Sequence, residues 1–239
     1  MTTSCYPTAA ISTPCDAWRM TLMPPEDPDF EFIDQSQPPR ELPIFPLPNV
    51  VLFPNMALPL HIFEERYRRM IHDCLKSDRY LGIFLVRQGW EQSPEPVPYD
   101  VGGFGQIARA VKLPAGNYEI VVRGLGKARV LSYTQEIPYR RALVELLEDE
   151  GDDSAELRSQ ADSMLERLNK VLTLRPGLGT ELQTHLKLLA SPRDLAYAVA
   201  AHYPDLTIYE RQSVLELRAA EAQLAKINRL LNRDLARLN

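Results

Sequence analysis

The 239-residue sequence has few of the residues from which metal, redox and nucleotide sites are built. Its three cysteines, Cys5, Cys15 and Cys74, contain no C-x-x-C pair, and its four histidines show no metal-binding spacing such as H-E-x-x-H. Neither a G-x-x-x-x-G-K-[ST] phosphate loop nor a G-x-S-x-G nucleophile motif occurs. We therefore predict no metal, no cofactor and no catalytic residues.

Excess basic charge and long apolar runs are also missing. The formal net charge is −5, so no positive field attracts phosphate backbones, and nucleic acid is a poor default partner. No apolar run approaches the roughly 20 residues of a membrane span, and the N-terminus lacks the basic start and apolar middle of a secretory signal. Its Ser and Thr content leaves a transit peptide as an alternative. Cysteines without a pairing pattern fit the reducing cytoplasm.

Short apolar runs separated by turn residues begin at residue 41, whereas residues 1–40 are rich in proline and show no periodicity. We interpret residues 1–40 as a flexible N-terminal tail. The runs of strand length are 42–53, 80–87, 106–113, 118–123, 128–137 and 140–147. PAGNYE at 114–119 and RGLGKA at 123–128 have the composition of tight turns. Successive short strands with tight reversals predict an antiparallel, partly closed sheet.

One helix interrupts the strands, at EERYRRMIHDCLK. Its apolar residues recur at helical spacing, which predicts an amphipathic helix lying against the sheet. Cys74 lies on that apolar face, so we expect a small core residue rather than a nucleophile, because a reactive thiolate needs an accessible, electropositive setting.

The period changes to helical after the acidic stretch 148–153, which we interpret as a solvated connector between domains. The boundaries are then a tail at 1–40, a β-barrel domain at 41–150 and a helical bundle at 154–239. Helices are predicted over 154–174, 179–190, 192–202 and 208–238.

Two motifs mark helix starts, and one repeat marks a packing seam. Ser191 is an N-cap followed by Pro192, and TIYE at 207–210 has capping-box spacing. From Leu217 to Leu238, seam positions recur about every 3.5 residues and are apolar except for Asp234, whose place Leu235 could take. This seam needs a partner, either the 154–174 helix or a second subunit.

Two glycine motifs superficially indicate a nucleotide site. GFGQIA at 103–108 matches the loose dinucleotide fingerprint, and GLGK at 124–127 looks like part of a phosphate loop. A phosphate site needs a helix directly after the glycine turn, and here strand sequence follows each motif. We reject both as nucleotide sites.

The stretch ELPIFPLPNVVLFPNMALPLHIFEERYRRMIHDCLKSDRYLGIFLV resembles the start of the N-terminal domain of the ATP-dependent Lon proteases, and of free-standing bacterial proteins made of that domain alone. The resemblance continues through VGGFGQIARAVKLPAGNYEIVVRGLGKARVL and YRRALVELLED and resumes at LAYAVAAHYPDLTIYERQSVLELRAAEAQLAKINRLL. It implies an α+β fold: a PUA-like antiparallel pseudo-β-barrel with one packed helix, followed by an α-helical bundle. The prolines of 41–63 would lie in short bent strands at the barrel rim, where a missing N–H is tolerated.

The resemblance also implies polypeptide recognition. A chain ending at Asn239 would lack the ATPase and Ser-Lys peptidase modules of full Lon proteases, so we expect a non-catalytic protein of the peptidase S16 family that binds unfolded or apolar polypeptide segments, as adaptor or holdase. The candidate binding residues are Trp90, Phe104 and Tyr118, since aromatic side chains on loops supply contact area at low entropy cost. For Phe104 and Tyr118 the alternative is ordinary barrel core.

Three other functions stay open. PUA-like folds also occur in RNA-binding modules, and five bases form a local cluster: Arg109, Lys112, Arg123, Lys127 and Arg129. The chain could instead be an interaction subunit that docks on a protease or ATPase partner or forms a homodimer through its C-terminal helix. LPIFPLP also contains the P-x-x-P spacing of polyproline ligands, although its Ile, Leu and Phe content fits a core better.

Overall fold

The computed structural model describes residues 21–22, 39–93, 95–151, 154–174, 186, 189 and 191–238. These residues contain the strands β1 (Thr21–Leu22), β2 (Glu41–Leu47), β3 (Met56–Ile62), β4 (Tyr80–Leu85), β5 (Val101–Lys112), β6 (Tyr118–Gln135) and β7 (Arg140–Leu147). The helices are α1 (Glu65–Leu75), α2 (Ala155–Leu174), α3 (Pro192–His202), α4 (Ile208–Leu215) and α5 (Ala220–Leu238). Most of the predicted tail and of the predicted 179–190 helix lies outside the described residues.

Five strands close into a ring in the order β6-β5-β4-β2-β7, because β7 pairs with both β2 and β6. β3 extends the sheet beside the first half of β6, and β1 pairs with β3 at Ala57 and Met56. The predicted α+β fold with a closed sheet is confirmed. The expectation of a purely antiparallel sheet is wrong at one place, because β2 and β4 run parallel, with Ile44 opposite Gly82.

The staggered pairing of β2 accounts for its prolines. Its first half, with Pro43, pairs only with β7, and its second half, with Pro46, pairs only with β4. Each proline therefore lies where the strand has a partner on one side, and the other side requires no ladder donor. Pro59 similarly lies in β3 beyond the two residues that β1 covers. The rim position predicted for these prolines agrees with this pairing.

One predicted turn is confirmed and the other is wrong. The chain reverses between β5 and β6 at residues 113–117, where the Leu113 N–H donates to the Asn117 carbonyl and Gly116 has a φ of 79°. RGLGKA is not a turn, because β6 continues through it as one 18-residue strand. The predicted strand over 42–53 also ends early, and residues 48–55 form the connection to β3.

One glycine of each glycine motif allows a backbone segment to lie directly on the sheet. A Cβ atom on Gly103 would lie 2.0 Å from the Leu52 carbonyl oxygen, and one on Gly124 would lie 2.1 Å from the Phe53 carbonyl oxygen. The Asn55 N–H donates to the Gly124 carbonyl at 2.9 Å. The motifs that look like phosphate loops are thus contact points for segment 50–55, which only glycine permits.

Two apolar clusters lie on the two faces of the ring. The inner cluster takes residues from all five ring strands: Leu42, Ile44, Tyr80, Phe84, Phe104, Ala128, Ala142 and Val144. The larger cluster runs from the outer face through α1 into the helices. Cys74 is buried in it, and burial raises the pKa of its thiol to about 12, as expected for a core residue.

The helices α2, α3 and α5 lie side by side and point in the same direction. Arg167 of α2 contacts Asn228 and Asn232 of α5 through its guanidinium group. In α3, Tyr197 is hydrogen-bonded to Gln223 and the following Tyr203 to Asp234, so residue numbers rise together in both helices. The seam of α5 therefore packs within its own chain, against α2 and α3, which confirms the simpler of the two predicted partners.

Helix boundaries in this region follow the predicted caps. The Ser191 side chain accepts from the Asp194 N–H, and Thr207 and Glu210 form a complete capping box. The predicted 208–238 helix is divided between α4 and α5, because residues 217–220 are held by tertiary contacts, including the Ala220 N–H to the Glu150 carbonyl. Asp234 itself is buried in the seam and accepts a hydrogen bond from the Tyr203 hydroxyl at 3.0 Å, while Leu235 is only partly buried.

The acidic stretch is an anchor rather than only a solvated connector. Asp149 forms an ion pair with the buried Lys127 of β6 and accepts a hydrogen bond from Tyr197 at 2.6 Å. Gln223 donates to the same carboxylate at 3.3 Å, and Arg193 lies 3.8 Å from it. We call this group the Asp149 cluster. Because Arg193 lies in the first turn of α3 and Gln223 in the first turn of α5, the carboxylate lies near the positive ends of these two helix dipoles.

Candidate functional site

The three predicted binding residues do not come together. Trp90 is 46% exposed in the loop between β4 and β5, whereas Phe104 and Tyr118 are only 7% and 6% exposed. Phe104 belongs to the inner cluster and Tyr118 to the larger one. Neither ring reaches the surface enough to contact a partner in this conformation, so the core alternative describes both, and Trp90 alone remains a surface candidate.

The loop that carries Trp90 is held at both sides. On one side, Tyr209 of α4 donates from its hydroxyl to Glu91 at 2.7 Å. This hydrogen bond lowers the pKa of Glu91 and, as the largest effect, raises the pKa of Tyr209 to about 12. On the other side, Arg140 of β7 donates to the Pro96 carbonyl. The loop thus spans from the helical region to the β6–β7 hairpin and presents the Trp90 ring to solvent.

Four further large apolar side chains are exposed on the β6–β7 hairpin, and sequence reasoning missed them. They are Leu131, Tyr133, Ile137 and Leu143, with exposed fractions of 63%, 39%, 84% and 43%. The pairing changes register between Val130 and Ser132, so that Leu131 and Ser132 together face Leu143. Leu131 and Leu143 are consequently neighbours on the outer face. Tyr133, which lies opposite Ala142 of the inner cluster, is on the other face, with the Arg140 guanidinium 5.6 Å from its ring centroid. We call the exposed residues of both faces, Leu131, Leu143, Tyr133 and Ile137, together with Trp90, the apolar surface.

Paired charges surround the Leu131–Leu143 pair. Arg129 forms an ion pair with Glu145 at 3.1 Å on one side, and Arg141 forms one with Glu41 at 3.2 Å on the other. The hydrogen bond from Arg141 is the main cause that lowers the pKa of Glu41. An apolar centre with a charge-balanced polar rim is the usual anatomy of a protein-binding surface.

The sequence contained a weak signal for this surface. In LSYTQ, residues 131–135, five consecutive strand residues carry no charge although they are largely exposed. Exposed strands normally carry charged residues that prevent association. The strand was predicted, but its exposure depends on which tertiary neighbours cover it, and the local pattern does not contain that information.

The predicted basic cluster is broken up by the fold. Lys127 is buried, and burial lowers the pKa of its ammonium group against the opposing effect of Asp149. Arg129 is paired with Glu145, and Lys112 lies over the Tyr118 ring at 5.9 Å. Within the described residues, this leaves Arg109, Lys112 and Arg123 of the five bases without an acidic partner, which is a small footprint for nucleic acid.

The described ranges contain little else that could support chemistry. No group of three His, Cys, Asp or Glu side chains there is arranged to hold a metal ion. An open groove of about 310 Å³ between α2 and α5 is lined by polar side chains, among which Arg167 is hydrogen-bonded to Asn228. Among the helices that the structure describes, none combines the length and apolarity needed to cross a membrane.

These features define the class of the chain: an α+β domain with a small closed barrel, a helical region joined to it through a buried ion pair, and an exposed apolar surface. Two solved structures share the fold. The Lon N-terminal domain protein of Xanthomonas campestris matches with a TM-score of 0.58 and 22% identity, over 78% of this chain and 96% of that one. The N-terminal domain of a Mycobacterium avium complex Lon protease matches with a TM-score of 0.65 and 17% identity, over 80% and 98%.

Sequence comparisons give the family. The family described as the ATP-dependent protease La (LON) substrate-binding domain matches residues 41–233. Lon protease 2 of Myxococcus xanthus is 31% identical over 203 residues, and Lon protease of Anaeromyxobacter dehalogenans is 32% identical over 203 residues. Each alignment covers 84% of this chain and 24% of the relative, so the chain spans about a quarter of the curated relatives' length. The chain belongs to the Lon substrate-binding domain family.

Proposed function

We propose that this protein binds exposed apolar segments of unfolded polypeptides and does not cleave them, acting as an adaptor or holdase. The observation that carries the proposal is the apolar surface: large apolar side chains gathered on one hairpin and the adjoining loop, with the Leu131–Leu143 pair set between the Arg129–Glu145 and Arg141–Glu41 ion pairs. Burying apolar area of this kind against a partner is the main source of binding energy in water.

The family membership supports the same proposal. The family description names a substrate-binding domain, and the matched relatives are named as Lon proteases. This chain aligns with only 24% of the relative's length, so we do not extend the proteolytic activity of the relatives to it. We therefore propose a binding role in the cytoplasm, beside a protease or ATPase partner that would act on the bound chain.

Two competing functions receive less support. RNA binding needs unpaired surface bases, and two of the five predicted bases are engaged by Asp149 and Glu145. A homodimer through α5 would use a seam whose residues Leu224, Ile227 and Leu231 are already buried within the chain. Polypeptide binding uses side chains that the structure leaves exposed.

The proposal is tested with fluorescein-labelled α-lactalbumin, either native or permanently unfolded by reduction and carboxymethylation, in fluorescence anisotropy titrations. We expect binding of the unfolded form only. The double variant Leu131→Ser/Leu143→Ser should weaken it at least tenfold, since burying each leucine contributes about 1.5–3 kcal/mol. Trp90→Ser should weaken it by a similar factor.

Val111→Ser is the matched control, because Val111 is 41% exposed on β5, outside the hairpin and the loop. It should leave the affinity unchanged. Equal affinity for native and unfolded lactalbumin, or equal losses in control and test variants, would contradict the proposal. An affinity that falls steeply with added salt would instead favour electrostatic binding of the kind expected for RNA. Incubation with unfolded lactalbumin should release no fragments.

A further inference from the structure

The last part of β6, Leu131–Gln135, has a strand partner on one side only. β7 pairs with it through Ser132, Tyr133 and Gln135. On the opposite side β5 begins only at Val101, which lies opposite Arg129, and the last bond there joins the Val130 N–H to the Asp100 carbonyl at 2.8 Å. Beyond it, no strand among the described ranges pairs with this edge of β6.

The direction of the backbone groups follows from two backbone hydrogen bonds. The Val130 N–H bonds to Asp100, away from β7, and the Val144 N–H bonds to the Arg40 carbonyl, away from β6. Val130 and Val144 are therefore a non-hydrogen-bonded pair, and along β7 such pairs alternate with hydrogen-bonded pairs. Tyr133 and Ala142 form the next non-hydrogen-bonded pair. Its N–H and carbonyl consequently point to the free edge.

The chemistry of this edge differs from that of the other open edge. On β3, β1 already pairs with the first two residues, and Pro59 lies in the remaining part, which has no second strand partner among the described residues. Proline and charged residues are the usual means by which edge strands avoid pairing with other chains. Residues 131–135 of β6 contain neither, and Ser132, Tyr133 and Thr134 are all exposed. The edge therefore keeps its capacity to accept a strand.

We propose that the free edge of β6 binds an extended, uncharged apolar polypeptide segment by strand addition, continuing the β5–β6 ladder beyond Asp100. The inference rests on the proposed function and states how that surface holds its ligand. Backbone bonds to Tyr133 would fix the segment, and its alternate side chains would contact Leu131 on one face and the Tyr133 ring on the other. The neighbouring charges of Arg129 and Arg141 are already paired, so the segment needs none of its own.

A peptide fits this edge better than a second copy of the chain does. β6 changes register twice against β7, between Val130 and Ser132 and between Tyr133 and Gln135. Such bulges bend and twist a strand, and two copies of a bulged edge do not present matching rows of donors and acceptors. A flexible peptide adapts its backbone to the twist, because its own conformation is not fixed by a fold.

The test uses a fluorescein-labelled peptide of five alternating Thr-Val pairs and two derivatives, each N-methylated on one of the two alternating sets of amides. Only one set faces the edge in an added strand. We expect one derivative to bind at least about tenfold more weakly than the parent, and the other to retain most of the affinity. Equal behaviour of the two derivatives would overturn strand addition, because conformational or side-chain effects of methylation do not depend on the set.

A protein variant pair provides the matching readout. Tyr133→Pro removes the ring and the outward N–H, whereas Tyr133→Ala removes only the ring. We expect the proline variant to bind the parent peptide at least about tenfold more weakly than the alanine variant, with circular dichroism and thermal midpoint confirming that both are folded. Equal affinities of the two variants would overturn the proposal.

Two outcomes separate this inference from the proposed function. If unfolded lactalbumin binds and the peptide does not, or both N-methylated peptides bind alike, strand addition is wrong and polypeptide binding stands. If neither probe binds, both proposals fail. Sedimentation of the unliganded chain should show a monomer; a dimer that Tyr133→Pro dissociates would identify a second copy as the occupant and overturn the peptide assignment.

Discussion

The barrel has a covered side and a bare side, and the residues on the two sides differ in kind. On the covered side, segment 50–55 lies between the strands and α3, with carbonyl oxygens directly above Gly103 and Gly124 and the Phe53 ring 5.4 Å from the Tyr197 ring. On the bare side, the hairpin leaves Leu131 63% and Leu143 43% exposed.

Side-chain size on this barrel follows coverage rather than strand propensity. Glycine is a poor strand residue, and it is present where another backbone must approach closely. Leucine is usually buried in folded proteins. On the hairpin it remains exposed and offers contact area. We therefore expect substitutions on the covered side to reduce stability and substitutions on the bare side to leave stability almost unchanged.

The largest effect is expected from a side chain placed under the covering segment. Gly124→Val should destabilise the protein by at least about 5 kcal/mol, because the first added carbon already lies 2.1 Å from the Phe53 carbonyl and the backbone cannot retreat. Urea denaturation followed by circular dichroism measures the loss. Ser132→Val, the same side chain on the bare side of the same strand, is the control and should stay within about 0.5 kcal/mol of the parent. A tolerated Gly124→Val would mean that segment 50–55 does not lie on the strand.

The second effect comes from the ion pair that joins the barrel to the helices. Lys127→Met should cost about 3 kcal/mol, since it leaves the Asp149 carboxylate buried without its cation. The double variant Lys127→Met/Asp149→Leu should recover part of that loss, because the unpaired charge is then gone. Denaturant midpoints of the four proteins in the cycle give the coupling. A neutral Lys127→Met would contradict the role of the Asp149 cluster.

A smaller, pH-dependent effect is expected at Glu210, on the helical region that covers the barrel. Burial raises the pKa of this carboxyl, but hydrogen bonds from Arg233 and Thr207 outweigh burial and hold the pKa below its ordinary value of 4.5. A depressed folded pKa contributes stability above the ordinary value, and this contribution is lost as pH falls through the lower folded value.

Glu210→Gln keeps the capping box and removes the charge. At pH 7 it should cost about 0.5 kcal/mol, and the difference from the parent should shrink as pH falls below about 4.5. Thermal midpoints of the two proteins from pH 7 to pH 3 measure the difference. A constant difference over that range would show that the ionised carboxylate contributes nothing beyond its capping bonds.

The smallest effect on stability is expected on the bare side. Leu131→Ser/Leu143→Ser should change the free energy of unfolding by less than about 0.5 kcal/mol, because both leucines are already largely exposed in the folded protein. Differential scanning calorimetry on the variant used in the binding test makes the measurement. A large loss of stability would place these leucines in the core and remove the distinction between the two sides.

The sequence predicted most of the elements and missed the contacts between them. The apolar face of α1, the turn at Gly116, the Ser191 cap and the Thr207–Glu210 box are local features, and each is as expected. The 123–128 stretch was predicted as a turn because two glycines close together usually mark one. Here Gly124 accommodates the covering segment and Gly126 the Phe104 ring, and contacts with residues so distant in the sequence leave no local signature.

The candidate site was harder to predict for the same reason. Trp90 lies in a Pro-rich loop and is exposed, in agreement with its position in the sequence. Phe104 and Tyr118 also lie beside glycines, but those glycines are in or next to strands that other elements cover. Lys127 was predicted as part of a basic surface, and its burial depends on Asp149 and on α3 arriving above it. Burial is a property of neighbours, which the pattern along one strand does not specify.

The unbroken length of β6 has a consequence for amide hydrogen exchange. Residues 118–123 lie between β3 and β5 and residues 127–129 between β5 and β7, so the amides of these residues should exchange with deuterium only when the whole domain opens. The last five residues have a ladder on one side and should exchange by local fraying, many times faster. One strand would then report both global opening and the occupancy of its free end, because a ligand paired there would slow exchange at Tyr133 while leaving the first two-thirds unchanged.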